Sequence, residues 1–288
     1  MSTYLVHDTF DTARLIAWYR AQETERPEGL FRDPYAKRLA GERGAELVRT
    51  LPQSEQDSWP IVLRTHIYDE LLQQVLAETA IDTVINLAAG LDTRPYRLAL
   101  PEGLRWIEVD HENVLSYKEE LLAGERARCQ VERVPFDITD AETRTAFLDR
   151  IQQESKQIFV LTEGLLVYLT EADVRGLATD LTAHSAIRWW LTEFISPLAL
   201  RQDANRWNMY AAESVRTRFA PPGGLAFFEE YGWQARDYRW PLREMLRLKL
   251  PLRNRWLLQI INALSGKKIA PETGGFLLLE RADRKETP

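Results

Sequence analysis

Of four short apolar runs, one opens into a turn of small residues and three end on an acidic residue, and their spacing suits a bound nucleotide. Thr83-Val84-Ile85-Asn86-Leu87 opens into Ala88-Ala89-Gly90-Leu91-Asp92-Thr93-Arg94. That is a buried strand entering a turn of small side chains, where backbone can approach a cofactor closely. Asp110 follows Gly90 by twenty positions and ends the run Trp106-Ile107-Glu108-Val109-Asp110. A carboxylate at that strand end accepts hydrogen bonds from ribose hydroxyls. Asp137-Ile138 ends a third run, and a carboxylate beside an apolar residue suits an adenine amino group and ring face. Glu163 breaks the apolar stretch Val160 to Leu169, so its carboxylate must face solvent, a cofactor or a hydrogen-bonding partner. Each has a plainer reading as a tight connection, a solvated strand end or a helix cap. Successive strand ends are harder to explain that way. Gly90 is the only glycine of its turn, so the three-glycine dinucleotide pattern of a nicotinamide-dependent oxidoreductase is missing.

These positions need a mainly parallel sheet covered on both faces, an α/β fold. Strands are expected at Thr83–Leu87, Arg105–Val109, Glu132–Phe136, Ile158–Thr162, Arg188–Phe194, Gln234–Tyr238 and Phe276–Glu280. Helices are expected at Ile61–Thr79, Val114–Gly124, Glu142–Glu154 and Glu171–His184. The last starts after Thr170, a good N-cap, with Glu171 and Asp173 in its first turn. The chain reads as a single domain, 1–288, divided into a helical cap (1–80), a cofactor-binding core (81–195) and an acceptor-side half (196–288). The cap is broken near Arg26–Gly29 and at the Asp33-Pro34-Tyr35 turn. Two insertions, 196–228 and 240–275, are expected to cover the mouth of the sheet. The first carries Trp207, Tyr210, Phe219, Phe227 and Phe228. The second is a basic amphipathic pair, Pro241–Leu250 and Leu252–Ser265, which suits a lid or dimer contact better than a membrane surface.

The formal charge of −6 over 288 residues argues against broad nucleic-acid binding, which needs surplus cations. A small-molecule acceptor fits better. Cys129 is the only cysteine, so no disulfide can form within the chain, and the four histidines show no metal-ligand spacing. MSTYLVHDTFDTARL lacks the basic start and apolar stretch of a signal peptide, and no apolar run approaches a membrane span. A cytoplasmic monomer or homodimer is expected.

Read together, the motifs resemble the leucine carboxyl methyltransferase superfamily, in particular its bacterial branch of polyketide-type O-methyltransferases. The matching stretches are Tyr19-Arg20-Ala21-Gln22-Glu23, Phe31-Arg32-Asp33-Pro34-Tyr35-Ala36, Arg64-Thr65, Asn86 through Arg97, Glu108-Val109-Asp110, Asp137-Ile138 and Glu163 through Leu169. The resemblance implies a Rossmann-like class I methyltransferase fold with a seven-stranded, mostly parallel sheet and an S-adenosyl-L-methionine cofactor, released as S-adenosyl-L-homocysteine. It also implies that Arg64 holds the methionine carboxylate, for which a guanidinium fork is suited. Arg20 occupies the region of a second cationic contact. Ala88 and Gly90 match the glycine-rich turn, with Ala88 in place of a frequent glycine; Asp110 matches the ribose ligand, Asp137-Ile138 the adenine edge and Glu163 a further cofactor-side carboxylate.

Methyl transfer from a sulfonium is an in-line displacement, so positioning and water exclusion supply much of the acceleration. A carboxylate acceptor needs no general base, whereas a hydroxyl acceptor benefits from one. His111, after the ribose aspartate, is the histidine to test as a base. Tyr168 and Tyr19 are candidates to line the pocket near the sulfonium, where aromatic faces favour positive charge; core packing explains them equally well. Ser196, Arg201 and Tyr210 follow the fifth strand and are candidates to meet the acceptor. The expected activity is O-methylation of a small-molecule carboxylate or hydroxyl, with secondary metabolites among the candidates. A non-catalytic protein that keeps the cofactor pocket is the alternative from another class.

Overall fold

The computed structural model describes residues 4–51, 54–250 and 274–282. One seven-stranded sheet is formed by β1 (Thr83–Leu87), β2 (Arg105–Asp110), β3 (Gln130–Pro135), β4 (Ile158–Thr162), β5 (Ile187–Ile195), β6 (Trp233–Arg239) and β7 (Gly274–Arg281). Their order is β3-β2-β1-β4-β5-β7-β6. The first five strands pair in parallel, and β7 runs antiparallel between β5 and β6. From β1 the chain builds outward through β2 and β3, then returns to β4 on the other side of β1. The crevice beyond the carboxyl ends of β1 and β4 is therefore a topological switch point, where open α/β sheets bind ligands.

The apolar runs are continuous because both faces of these strands are buried. Val84, Trp106, Phe159, Leu161, Leu191 and Leu278 point to one face, under α3 (Ser54–Glu78). Ile85, Leu87, Ile107, Val160, Trp190 and Leu277 point to the other. There α6 (Ala141–Glu154) and α7 (Glu171–Ala183) contribute Phe147, Ile151, Val174 and Leu177. Each such fully buried side chain contributes about 1.5–3 kcal/mol. Thr170 caps α7 in a reciprocal box with Asp173, as its position before Glu171 and Asp173 suggests.

Two helices form the cap, α1 (Thr9–Glu25) and α2 (Ala36–Thr50), separated at the expected Asp33-Pro34-Tyr35 turn. α3 starts earlier than expected and runs through Pro60. Pro60 lies past the first turn of α3, so the helix forgoes the bond that an N–H there would make to the carbonyl four residues earlier, and the proline does not mark the boundary.

The aromatic residues of the 196–228 insertion divide between two places. Phe219, Phe227 and Phe228 lie in the core with Trp190, Phe194 and Trp233, around α9 (Leu225–Glu230), so they do not cover the mouth of the sheet. Trp207 and Tyr210, around the end of α8 (Pro197–Trp207), pack with the cap instead. Val6 and Ala211 form a β-bridge that ties this insertion to the N-terminal segment. In the second insertion, α10 (Pro241–Arg247) docks on α3 through Arg247 and Glu70 at 2.6 Å. Met245, Leu248 and Leu250 sit against the core below it. The expected helix Leu252–Ser265 lies outside the described residues.

Candidate functional site

β1 leaves the sheet through Ala88 and Gly90, both with positive φ, 56° and 49°. Gly90 adopts that conformation freely, whereas Ala88 carries a strain of about 1–2 kcal/mol. This turn sets backbone N–H groups toward the end of β2. The Gly90 N–H donates to Asp110 Oδ2 at 2.7 Å, and the His111 N–H donates to Oδ1 at 2.7 Å. Burial raises the Asp110 carboxyl above the usual carboxylate range, against those two bonds. His111 is exposed and precedes α5 (Glu112–Leu121).

At the end of β3, Asp137 is exposed, and its Oδ1 accepts from the N–H and hydroxyl of Thr139. Capping of α6 falls to Asp140, so Asp137 is not spent on the helix. Ile138 is largely buried in the core beside it.

A buried ionic cluster occupies the switch point. Arg64, on α3, donates from Nε to Glu163 Oε1 at 3.0 Å and lies 3.5 Å from Glu193 Oε1. Glu163 Oε2 pairs with Arg94 Nη1 at 2.8 Å. Arg94, at the start of α4 (Arg94–Arg97), also binds Asp69 and Asp92, and its Nη2 is buried without a hydrogen-bond partner. Asn86 holds Asp92 at 2.8 Å. Burial alone would raise the Asp92 carboxyl, but the charges of Arg94, Lys118 and Arg97 outweigh it and hold it below the usual range. Glu193, near the carboxyl end of β5, accepts from the Gly164 N–H at 2.5 Å and from the Tyr68 hydroxyl.

Arg20 is nearly buried and donates from Nε to Asp33 at 2.9 Å and from Nη2 to the Leu91 carbonyl at 2.5 Å. It therefore braces the cap against the β1 turn. Asp33 also accepts from Thr93 Oγ1 and from the N–H groups of Tyr35 and Ala36.

The structure thus brings Arg64, Ala88, Gly90, Asp110 and Glu163 to the carboxyl ends of β1, β2 and β4, with Asp137 and Ile138 at the end of β3. The candidate acceptor residues are scattered. Tyr168 lies on the 3-10 turn Leu166–Tyr168 within electrostatic reach of Arg64. Tyr19 and Tyr210 pack in the cap cluster with Leu15, Leu47 and Val215. Ser196 Oγ accepts the Ala199 N–H, and exposed Arg201 bonds the Pro197 carbonyl of its own helix. Asp69, Asp92, Arg94 and Glu193 were not singled out in the sequence. Glu193 had a legible signal: like Glu163, it is a carboxylate near the end of an apolar strand.

The Arg20–Arg64–Arg94–Arg97 group faces Asp33, Asp69, Asp92, Glu163 and Glu193, four guanidiniums against five carboxylates. Asp110 and the tight β1 turn add a ribose-binding geometry. The residues present fit S-adenosyl-L-methionine. Among the described residues no group of His, Cys, Asp and Glu has the arrangement of a metal site, and no helix is long and apolar enough to cross a membrane.

Sheet order and strand-end carboxylates together define a Rossmann-like fold of the class I methyltransferase type. A solved methyltransferase structure from Thermobifida fusca YX superposes with a TM-score of 0.57 at 13% identity, covering 94% of each chain. A DUF574 family protein from Streptomyces avermitilis gives 0.55 at 12% identity, covering 94% of this chain and 97% of that one. At such identities the likeness concerns the fold alone. In sequence, a protein of Parafrankia sp. named for S-adenosyl-L-methionine-dependent methyl transfer is 33% identical over 250 residues, covering 78% of this chain and 77% of its own. A protein of Streptomyces avermitilis with the same kind of name is 37% identical over 239 residues, covering 78% and 82%. The family profile described as leucine carboxyl methyltransferase matches residues 13–182. The chain belongs to the leucine carboxyl methyltransferase family and is an S-adenosyl-L-methionine-dependent methyltransferase.

Proposed function

We propose that the protein methylates an oxygen of a small-molecule acceptor, a carboxylate or a hydroxyl, by in-line transfer. When bound, S-adenosyl-L-methionine supplies an electrophilic methyl group on a sulfonium. Arg64 would hold its carboxylate, Asp110 its ribose hydroxyls and Asp137 with Ile138 its adenine, while Glu163 and Arg94 fix the position of Arg64. Arg20 supports the β1 turn from behind. Tyr168 would present an aromatic face beside the reacting centre.

One observation carries the oxygen acceptor, and a carboxylate foremost. The described carboxylates gathered at the switch point are already engaged by guanidiniums, a phenol or backbone N–H groups. Such groups are poorly placed to deprotonate an acceptor, which favours an oxygen that arrives ionised. A cytoplasmic enzyme, monomeric or homodimeric, is the setting this reading assumes, and secondary metabolites are a natural class of acceptor.

The test is transfer of isotopically labelled methyl groups to panels of small carboxylic acids, phenols and amines. Alkali-labile methyl esters are expected; alkali-stable ethers would move the acceptor to a hydroxyl. Label found only on nitrogen or carbon would overturn the reading. Calorimetric titration should show binding of S-adenosyl-L-methionine and none of NADH, which separates it from an oxidoreductase.

A further inference from the structure

Glu193 has two ways of satisfying its hydrogen bonds. As an ion, it accepts the Gly164 N–H on Oε1 and the Tyr68 hydroxyl on Oε2, with Arg64 Nη1 at 3.5 Å. The Tyr68 hydroxyl also lies 3.2 Å from the Thr162 carbonyl oxygen, which can only accept. Tyr68 has one proton for these two acceptors. A neutral Glu193 resolves the competition, because Oε2–H would donate to Tyr68 Oη and free the Tyr68 proton for Thr162.

The surroundings favour such a chain. Glu193 faces Arg64 and Tyr68 from α3, and Glu163 from the end of β4, with Arg94 behind it. Tyr168 approaches through Arg64, and the register partner on β7, Phe276, brings no charge. Burial raises the Glu193 carboxyl and Glu163 adds to that, while Arg64, Tyr68 and Gly164 act in the opposite direction; the net shift is upward. Arg64 is the cation that resists protonation of Glu193, and it is shared with Glu163, which holds it at the shorter distance.

We propose that Glu193 is a positioning residue that takes up one proton when the cofactor's carboxylate engages Arg64. This rests on the reading of Arg64 given above. The proton comes from solvent and bonds to Oε2; the Tyr68 proton swings from Glu193 to the Thr162 carbonyl, and no other bond changes. Protonation leaves Arg64 with two carboxylates, that of Glu163 and that of the cofactor, in place of three.

S-adenosyl-L-homocysteine is the probe, titrated into the full chain by calorimetry near pH 6.5 in two buffers of different ionisation enthalpy. The wild type is expected to take up as much as about one proton, with Kd rising by up to about tenfold per pH unit where Glu193 titrates. Glu193→Gln should abolish the uptake and flatten that rise. Asp110 acts in the opposite sense, weakening binding on acidification, but equally in both proteins, so the difference between them reports Glu193. Equal net proton exchange in the wild type and Glu193→Gln would overturn the proposal. Difference infrared spectra of the wild type need no variant: a neutral carboxyl band should grow on binding, and its absence also refutes the idea. Failure to bind the probe, or an Arg64→Met variant that binds it as tightly as the wild type, would remove the reading of Arg64 and the proposal with it. Those results cannot be confused with tight, Arg64-dependent binding with equal net proton exchange in the two proteins.

Discussion

Gly164 has φ +68°, and a Cβ there would lie 3.1 Å from Arg64 Nη1. Strain and contact act together: Gly164→Ala costs about 1–3 kcal/mol in backbone conformation and presses on a guanidinium already held by two glutamates. At least a tenfold rise in the Kd for S-adenosyl-L-methionine is expected by calorimetry, and an unchanged Kd would remove Arg64 from the site. Ala88 is the converse case, a side chain where glycine is at ease. Ala88→Gly should leave stability within about 1 kcal/mol or raise it, because relief of the left-handed strain offsets the greater freedom of the unfolded glycine. Thermal unfolding decides, and a larger loss would mean that the Ala88 methyl packs productively. Asp110→Ala should weaken cofactor binding at least tenfold, the scale of one charge-assisted hydrogen bond, with little change in melting temperature. An equal Kd would show that Asp110 serves only the Gly90 turn.

Asp33 is central to the polar contacts between the cap and the β1 turn, accepting from Arg20, Tyr35 and Ala36 within the cap and from Thr93 beyond it. Removing one partner from a buried ion pair costs about 3–5 kcal/mol. Asp33→Ala should therefore lower stability on that scale and speed amide exchange in α1 and α2 before the sheet, a pattern that Asp110→Ala would not share. β1 and β4 were legible residue for residue, because both are short apolar runs bounded by polar turns. β3 begins at Gln130, two residues before expectation, because an edge strand alternates charged and apolar side chains and its ends carry little signal. Asp110, Glu163 and the Gly90 turn could be read because their positions at strand ends fix their surroundings. Asp69 and Arg94 could not: a charged residue in a helix looks solvated until the tertiary fold supplies its partner. The division of the insertion's aromatics between core and cap was hidden for the same reason.

At the scale of the whole molecule, two groups of carboxylates pull stability in opposite directions with pH. Asp92 and Asp11 are held below their ordinary range. Burial opposes that in both, and it is outweighed by Arg94, Lys118 and Arg97 for Asp92 and by Arg43 and His7 for Asp11. Their contribution is full above the unfolded carboxylate pKa and is lost as pH falls through the depressed values. Glu193 and Asp110 are raised, mainly by burial, so their contribution is present at low pH and is lost as pH rises through the folded values. Asp92→Asn should be less stable than the wild type near neutrality, with the gap narrowing on acidification; a constant gap in melting temperature would refute the assignment. The Val6–Ala211 bridge has a consequence for how the chain assembles. It joins positions about two hundred residues apart, so its contacts carry a large loop-closure entropy and come late in folding. During synthesis α1 and α2 emerge long before the segment that completes their buried face. The cap must wait, with Leu15, Tyr19 and Leu47 partly uncovered, until the strands through β5 have been made.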